Sequence, residues 1–315
     1  MDLPTLLLAI APIFAVIAVG AVAARWERFS EGAAATLNDL VYYVALPALI
    51  FDSVAEADLS AGVSGVALVV ALGVLLVGYG LGVGAARLLA VPWREANAVG
   101  TVGSWGNVGY LGIPLSVAVL GPATGFAASL VSTLHTAVAI SVFLVAATLI
   151  DRDRDRSSRG LLVRIVARRV LGNPIVVAIV LGLAVAALGW RLPRPVATTV
   201  ELLGDLAAPG GLFALGILLR GAVPALGGGR RGGIVAAVVL KLVVLPALAV
   251  AAVHLFAVPA PWAAVIVLMC ALPDAATVFV LMAQYRTWYR ESTAAVVLTT
   301  VGSIVTLPVV LTLAL

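Results

Sequence analysis

Residues 106–115 read GNVGYLGIPL and lie inside an apolar segment long enough to cross a membrane. The stretch holds three glycines, a proline and an asparagine, each of which weakens a helix buried in lipid. A span that carries them is expected to be interrupted. What the interruption serves depends on the rest of the chain.

Of the 315 residues, 63% are apolar and 11% are charged. A soluble domain averages about 45–50% apolar and about 25% charged. With a mean hydropathy of +1.18, no soluble core could bury this much apolar surface, so the surrounding solvent is a bilayer. The first apolar stretch, residues 3–24, lacks a basic leading region and a clear cleavage site before Arg25, and reads as a retained span rather than a signal peptide. The single cysteine, Cys270, excludes an intramolecular disulfide and supplies no metal motif. No metal and no cofactor is expected, and the net charge of +4 does not point to nucleic acid.

A crossing helix needs about 20 mostly apolar residues. Ten such segments are expected: roughly 5–24, 33–54, 63–88, 96–120, 123–149, 171–189, 196–220, 232–255, 261–283 and 291–313. With the N-terminus outside, the inner loops carry 16 of the 19 basic residues. Only Arg191 and Arg194 fall outside, and Lys241 lies within a span. The excess of positive charge on inner loops thus places both termini on the extracytoplasmic side of a cell inner (plasma) membrane. The outer loop at 52–60, with Asp52, Glu56 and Asp58, agrees. The inner stretch DRDRDRSSR (151–159) reads as a solvated linker. It divides the spans five and five: 1–150, a cytoplasmic linker 151–169, and 170–315.

The halves resemble each other. PIFAVIAVG (12–20) matches PIVVAIVLG (174–182). At the same offset, Thr36, Asp39, Leu40, Pro47 and Phe51 meet Thr198, Glu201, Leu202, Pro209 and Phe213. A repeat with an odd number of crossings must be inverted in the membrane. Inverted repeats with interrupted helices point to a secondary transporter.

The ninth span holds a matching stretch, MCALPDAATVF (269–279), which sets Pro273 against Pro114. Proline is tolerated at the first turn of a helix, so each proline is expected to start a half-helix. Asp274 then falls in the first turn of the second half of span 9. Broken backbone at mid-membrane survives where it lines a cavity or is buried in protein, and half-helix N-termini suit a carboxylate. The expected substrate site takes Asn107, Gly109, Tyr110, Gly112, Ile113 and Pro114 from span 4. Ala271, Pro273 and Asp274 come from span 9 and His135 from span 5. Asn107 either contacts substrate or satisfies the broken backbone; the glycines either line the site or pack helices. Lys241 lies ten residues beyond Arg231, about 15 Å along a helix and mid-membrane. It is expected to pair with Asp274, Asp205 or Glu201, and Asp274 and Lys241 are the candidates for coupling to H+ or Na+. Asp39 and Glu201, equivalent in the repeat, read as helix-end or scaffold residues.

GNVGYLGIPL, LVYYVALPALIF, ALPDAATVFVLMAQY and the closing VLTTVGSIVTLPVVL together resemble the auxin efflux carrier family, which includes plant carriers and bacterial carriers named for malonate or malate. The similarity covers essentially the whole chain. It implies an all-α membrane protein of ten helices in two inverted five-helix repeats, related to bile-acid symporters and sodium/proton antiporters. Spans 1, 2, 6 and 7 would form a scaffold and spans 3–5 and 8–10 a mobile transport domain, with helices 4 and 9 broken and crossing. It further implies a homodimer, an elevator motion and a small organic anion as substrate. Asn107, Pro114 and Pro273 match the family's crossover residues. His135 stands where plant members tend to have glutamine, Ile50 near a plant serine, and Asp274 where plant members are usually uncharged. With the long plant cytoplasmic loop also missing, the resemblance carries the organic-anion class rather than auxin itself.

Other classes fit less well. HExxH, GxSxG, GxGD and Walker motifs are all missing from the sequence. Ser132 and His135 share one helix face, but a single turn is thin support for a nucleophile and its base. The rival within transporters is a sodium- or proton-coupled symporter or exchanger using Asp274 and Lys241.

Overall fold

The computed structural model describes residues 3–56, 62–152, 172, 174–222 and 231–314. From residue 153 on, the 151–169 linker lies outside the described residues. Among the described residues the regular structure is helical, with no strand. In chain order the helices are α1 (Leu3–Ala23), α2 (Glu31–Leu40), α3 (Leu46–Ala55), α4 (Gly65–Leu88), α5 (Trp93–Ser104), α6 (Ile113–Leu120) and α7 (Gly125–Arg152). They continue as α8 (Pro174–Ala187), α9 (Arg194–Asp205), α10 (Ala207–Ala222), α11 (Arg231–Val239), α12 (Leu245–Leu255), α13 (Ala260–Ala271), α14 (Ala276–Gln284) and α15 (Tyr289–Ala314). Six helical stretches among the described residues are long and apolar enough to cross a membrane: Glu31–Asp52, Gly65–Leu88, Gly125–Ile150, Arg194–Ile217, Arg231–Leu255 and Tyr289–Leu313. The fourth and ninth expected spans are each two short helices instead: α5 with α6, and α13 with α14.

Local chemistry sets the ends and the irregular turns. The Ser64 hydroxyl accepts the Ala67 N–H at 3.2 Å and caps α4. Pro92, Pro193 and Pro259 sit just ahead of α5, α9 and α13, where no N–H is needed. Three π-helical turns occur among the described residues, at Val41–Ala45, Val108–Gly112 and Leu240–Val244. Each ends two residues before a proline: Pro47, Pro114 and Pro246. Proline cannot bond the carbonyl one turn back, and the wider turn accommodates the missing bond without ending the helix. The spans through α2–α3 and α11–α12 therefore stay continuous.

Packing falls largely into two sets. In one, α1 lies along α10, α3 against α8 and α9, and α2 against α10. Gly20 and Gly216 face each other there, and a Cβ on either would run into the opposite backbone. In the other, α4 packs on α5, α5 on α7 and α11, α12 on α4 and α13, and α13 on α7 and α15. Fewer contacts join the sets, chiefly α10 with α15 and α3 with α7.

Candidate functional site

α5 stops at Ser104, and Trp105 is extended at φ −96°, ψ 105°. α13 stops at Ala271, with Leu272 at φ −62°, ψ 152° and Ala275 at φ −61°, ψ 129°. Leu272 precedes a proline, which disfavours helical backbone at that position. The two extended links pair antiparallel, with Gly106 opposite Asp274. The Asn107 N–H donates to Pro273 O at 2.8 Å, and the Ala275 N–H donates to Trp105 O at 3.0 Å. Each break supplies the hydrogen-bond partners that the other lacks.

This pairing corrects the reading based on prolines. Pro273 does not start a half-helix; it lies in the extended link, its carbonyl accepting from Asn107, and α14 begins only at Ala276. Asp274 lies in the same link rather than in a helical first turn. Pro114 does sit in the first turn of α6, but the break itself falls at residues 105–107, ahead of the π turn. The offset that equated the two prolines therefore does not equate the two breaks.

Beside the paired links is a narrow cavity of about 40 Å³, where one water takes roughly 10–15 Å³. Leu46, Leu49 and Ile50 of α3 form one wall. Ser132, Thr133 and Thr136 of α7 form another, and Trp105, Gly106, Asn107, Val108, Gly109, Ile113, Ala275 and Thr277 complete it. Of the expected site residues, Asn107, Gly109 and Ile113 line this cavity. Asn107 is only 5% exposed. Gly112 packs on Met269 instead, and Ala271 is buried at the end of α13. The side chains of Tyr110 and Pro114 lie outside the described ones. Sequence reading missed Thr133, Thr136 and Thr277, and met Ser132 only as a possible nucleophile. The spacing of 132, 133 and 136 on one helical face was the available signal.

The ionisable residues stand behind the cavity wall. Lys241 is fully buried, and its Nζ donates to Cys270 O at 3.2 Å. Asp274 is 1% exposed; its N–H donates to Thr299 Oγ1 at 3.1 Å, while among the described residues no well-formed hydrogen bond reaches either carboxylate oxygen. Asp274 and Lys241 interact electrostatically. Asp205 and Glu201 are exposed and do not pair with Lys241. His135 is buried, and its Nε2–H donates to Ala71 O at 3.0 Å, tying α7 to α4. Nδ1 is then the acceptor nitrogen of the neutral ring.

A many-helix chain with several membrane spans, paired broken helices and a small cavity beside them that mixes hydroxyl, amide and apolar groups defines a multi-pass membrane protein. Residues 5–311 match the family described as "Membrane transport protein". The chain belongs to this auxin efflux carrier-like family of membrane transporters. It is 30% identical over 302 residues to a Rhizobium meliloti (strain 1021) protein named "Putative malonate transporter", covering 94% of this chain and 91% of that one. It is 24% identical over 307 residues to the Escherichia coli (strain K12) "Uncharacterized transporter YfdV", covering 94% of each. Family membership makes it a membrane transporter rather than an enzyme.

Proposed function

We propose that the protein is a secondary-active transporter that moves a small mono- or dicarboxylate by elevator-type alternating access. The observation that carries this is the cavity beside the paired breaks. Its amide and hydroxyl groups, from Asn107, Ser132, Thr133, Thr136 and Thr277, suit a carboxylate. The name of the Rhizobium relative supports the anion class. The two packing sets support a scaffold of spans 1, 2, 6 and 7 and a transport domain of spans 3–5 and 8–10. In this reading the halves are inverted repeats, helices 4 and 9 cross at Gly106 and Asp274, and the scaffold forms a homodimer. The arginine distribution supports both termini outside the inner membrane.

A second reading, coupling to H+ or Na+ through Asp274 and Lys241, is favoured by the buried Asp274 carboxylate, whose oxygens accept no well-formed hydrogen bond among the described residues. Liposome reconstitution tests both. Solid-supported-membrane currents and an internal pH dye would follow malonate, malate, other dicarboxylates and indole-3-acetate. A substrate signal lost in Asn107→Ala supports the cavity as the site, and its persistence refutes that assignment. A pH response lost only in Asp274→Asn supports coupling there. A response to sodium or pH gradients alone, with none to any carboxylate, replaces the anion carrier with a cation exchanger.

A further inference from the structure

Residues 87–93, RLLAVPW, and residues 254–260, HLFAVPA, build the same turn. In each a helix ends, an alanine takes a left-handed conformation (Ala90 at φ 58°, Ala257 at φ 46°) and a proline leads into the next helix. The same backbone bonds close both. The Val91 N–H donates to Ala86 O and the Val258 N–H to Val253 O, and the N–H groups of Leu89, Ala90, Phe256 and Ala257 bond at matching positions. The turns join α4 to α5 and α12 to α13. In the orientation proposed above, the first lies on the inner side of the membrane and the second on the outer.

Both tips are apolar: Leu88 is 90% exposed and Leu255 78%, with Leu89 and Phe256 exposed beside them. Their charge differs. At the first turn the Arg87 guanidinium lies 4.6 Å from the centroid of the exposed Trp93 ring. Arg94 follows in the chain, and Glu95 is the acidic residue beside it. Arg231, exposed at the start of α11, is brought alongside, because a Cβ at Gly232 would lie 3.3 Å from Leu89 Cδ1. At the second turn His254, Ala260 and Pro261 hold the places of Arg87, Trp93 and Arg94. Forming the turn does not explain the difference. Arg87 Nη1 donates to Val91 O, whereas His254 bonds Val250 O, and the second turn closes with the same backbone bonds. A guanidinium has five N–H donors, so the bond to Val91 leaves others for an anion while Trp93 stacks on one face.

We propose that this corner, formed by Arg87, Trp93, Arg94 and Arg231 with Leu88 and Leu89, binds an anionic phospholipid of the inner leaflet. The arginines bond phosphate oxygens, Trp93 sits at headgroup level and the leucines lie against the acyl chains. The exposed leucines make the ligand a lipid rather than a free phosphate. In the elevator reading the corner belongs to the transport domain, so the lipid is held by that domain and not by the scaffold.

The experiment titrates the delipidated protein in detergent with phosphatidylglycerol and with phosphatidylcholine of the same acyl chains. Native mass spectrometry reads the bound lipid. An arginine near an anionic membrane surface contributes about fivefold in affinity. Phosphatidylglycerol should therefore bind at least about fivefold more tightly than phosphatidylcholine, and the difference should vanish in Arg87→Gln with Arg231→Gln. It should remain in His254→Gln with Phe256→Leu, which alters the outer turn. Should the first pair not fold, Trp93→Leu with Arg231→Gln keeps the bond to Val91 and tests the same corner. Equal affinities in the unaltered protein overturn the proposal. So does a preference that survives loss of the inner arginines, or one lost equally at the outer turn. Displacement of the lipid by an excess of glycerol phosphate overturns the lipid as occupant.

Discussion

The N–H of Asn107 donates to the carbonyl of Pro273 at 2.8 Å, and this bond joins two breaks far apart in sequence. It requires the two chains to approach closely, and Gly106 permits that. A Cβ there would meet Lys241 Nζ at 2.8 Å and Met269 O at 3.0 Å. Gly106→Ala should therefore destabilise the protein by about 1–3 kcal/mol, as overpacking does, with loss of transport. At Gly109 the nearest atom to an added Cβ is Ser132 Oγ at 3.8 Å, an ordinary contact. Gly109→Ala should leave thermal unfolding in detergent nearly unchanged. Equal melting temperatures for the two variants would show that the close approach is not essential to the fold.

Lys241 and Asp274 should depend on each other. Lys241→Met removes the buried ammonium and leaves Asp274 with neither a cation nor a hydrogen bond to its carboxylate oxygens. Breaking a buried charge pair from one side costs about 3–5 kcal/mol. Adding Asp274→Asn should recover most of that stability, because no uncompensated charge remains. Unfolding of the single and double variants measures the coupling. Strictly additive effects would mean that the two groups act separately.

How much of this the sequence carried differs from residue to residue. The break near GNVG was legible because glycine and asparagine do not belong in an unbroken lipid-buried helix. The interrupted ninth span was legible from Pro273, in a stretch that matches the one around Pro114. The register between the breaks was not. Both stretches contain proline, yet Pro114 sits in the helix that follows its break and Pro273 sits in the break itself. Backbone pairing between distant segments decides this, and no local pattern reports it. Ile50 was reached only through the family resemblance, and Leu46, Leu49 and the hydroxyls of Thr133, Thr136 and Thr277 were hidden, because only tertiary packing makes them neighbours.

His135 presents a separable case. Its Nε2–H holds Ala71 O, and the side chain does not line the cavity. His135→Leu should lose about 1–3 kcal/mol, because it leaves that carbonyl without its side-chain donor. His135→Gln, which keeps a donor of similar reach, should recover part of it. In the folded Gln variant the KM for malonate should stay within about twofold of the unaltered protein, a change below 1 kcal/mol. A large rise in KM without loss of stability would instead make His135 a substrate ligand.

The Gln284 Nε2 group donates to Tyr43 Oη at 2.8 Å, bridging α14 and the first π turn. To one side of this bond is an open vestibule of about 950 Å³, lined by Asn38, Asp39, Arg286 and Arg290 among others. To the other side, farther along the same helices, are the cavity residues Leu46, Leu49, Ile50 and Thr277. Gln284 itself lines the vestibule, and separating α14 from the first π turn, which would open a groove from there toward the cavity, has to break this bond. A single hydrogen bond is worth about 1 kcal/mol net, roughly fivefold in an opening equilibrium. Tyr43→Phe keeps the ring and removes the hydroxyl, so the fold should hold while the groove opens more often. With Cys270→Ser removing the native thiol, a cysteine introduced by Ser132→Cys reports on the cavity. Its reaction with a membrane-impermeant thiol reagent, added from the side of the vestibule, should speed up by about fivefold in Tyr43→Phe. Gln284→Ala should do the same, and combining the two should add nothing, since both remove one bond. Unchanged labelling in both single variants would make the contact a surface hydrogen bond with no part in access to the cavity.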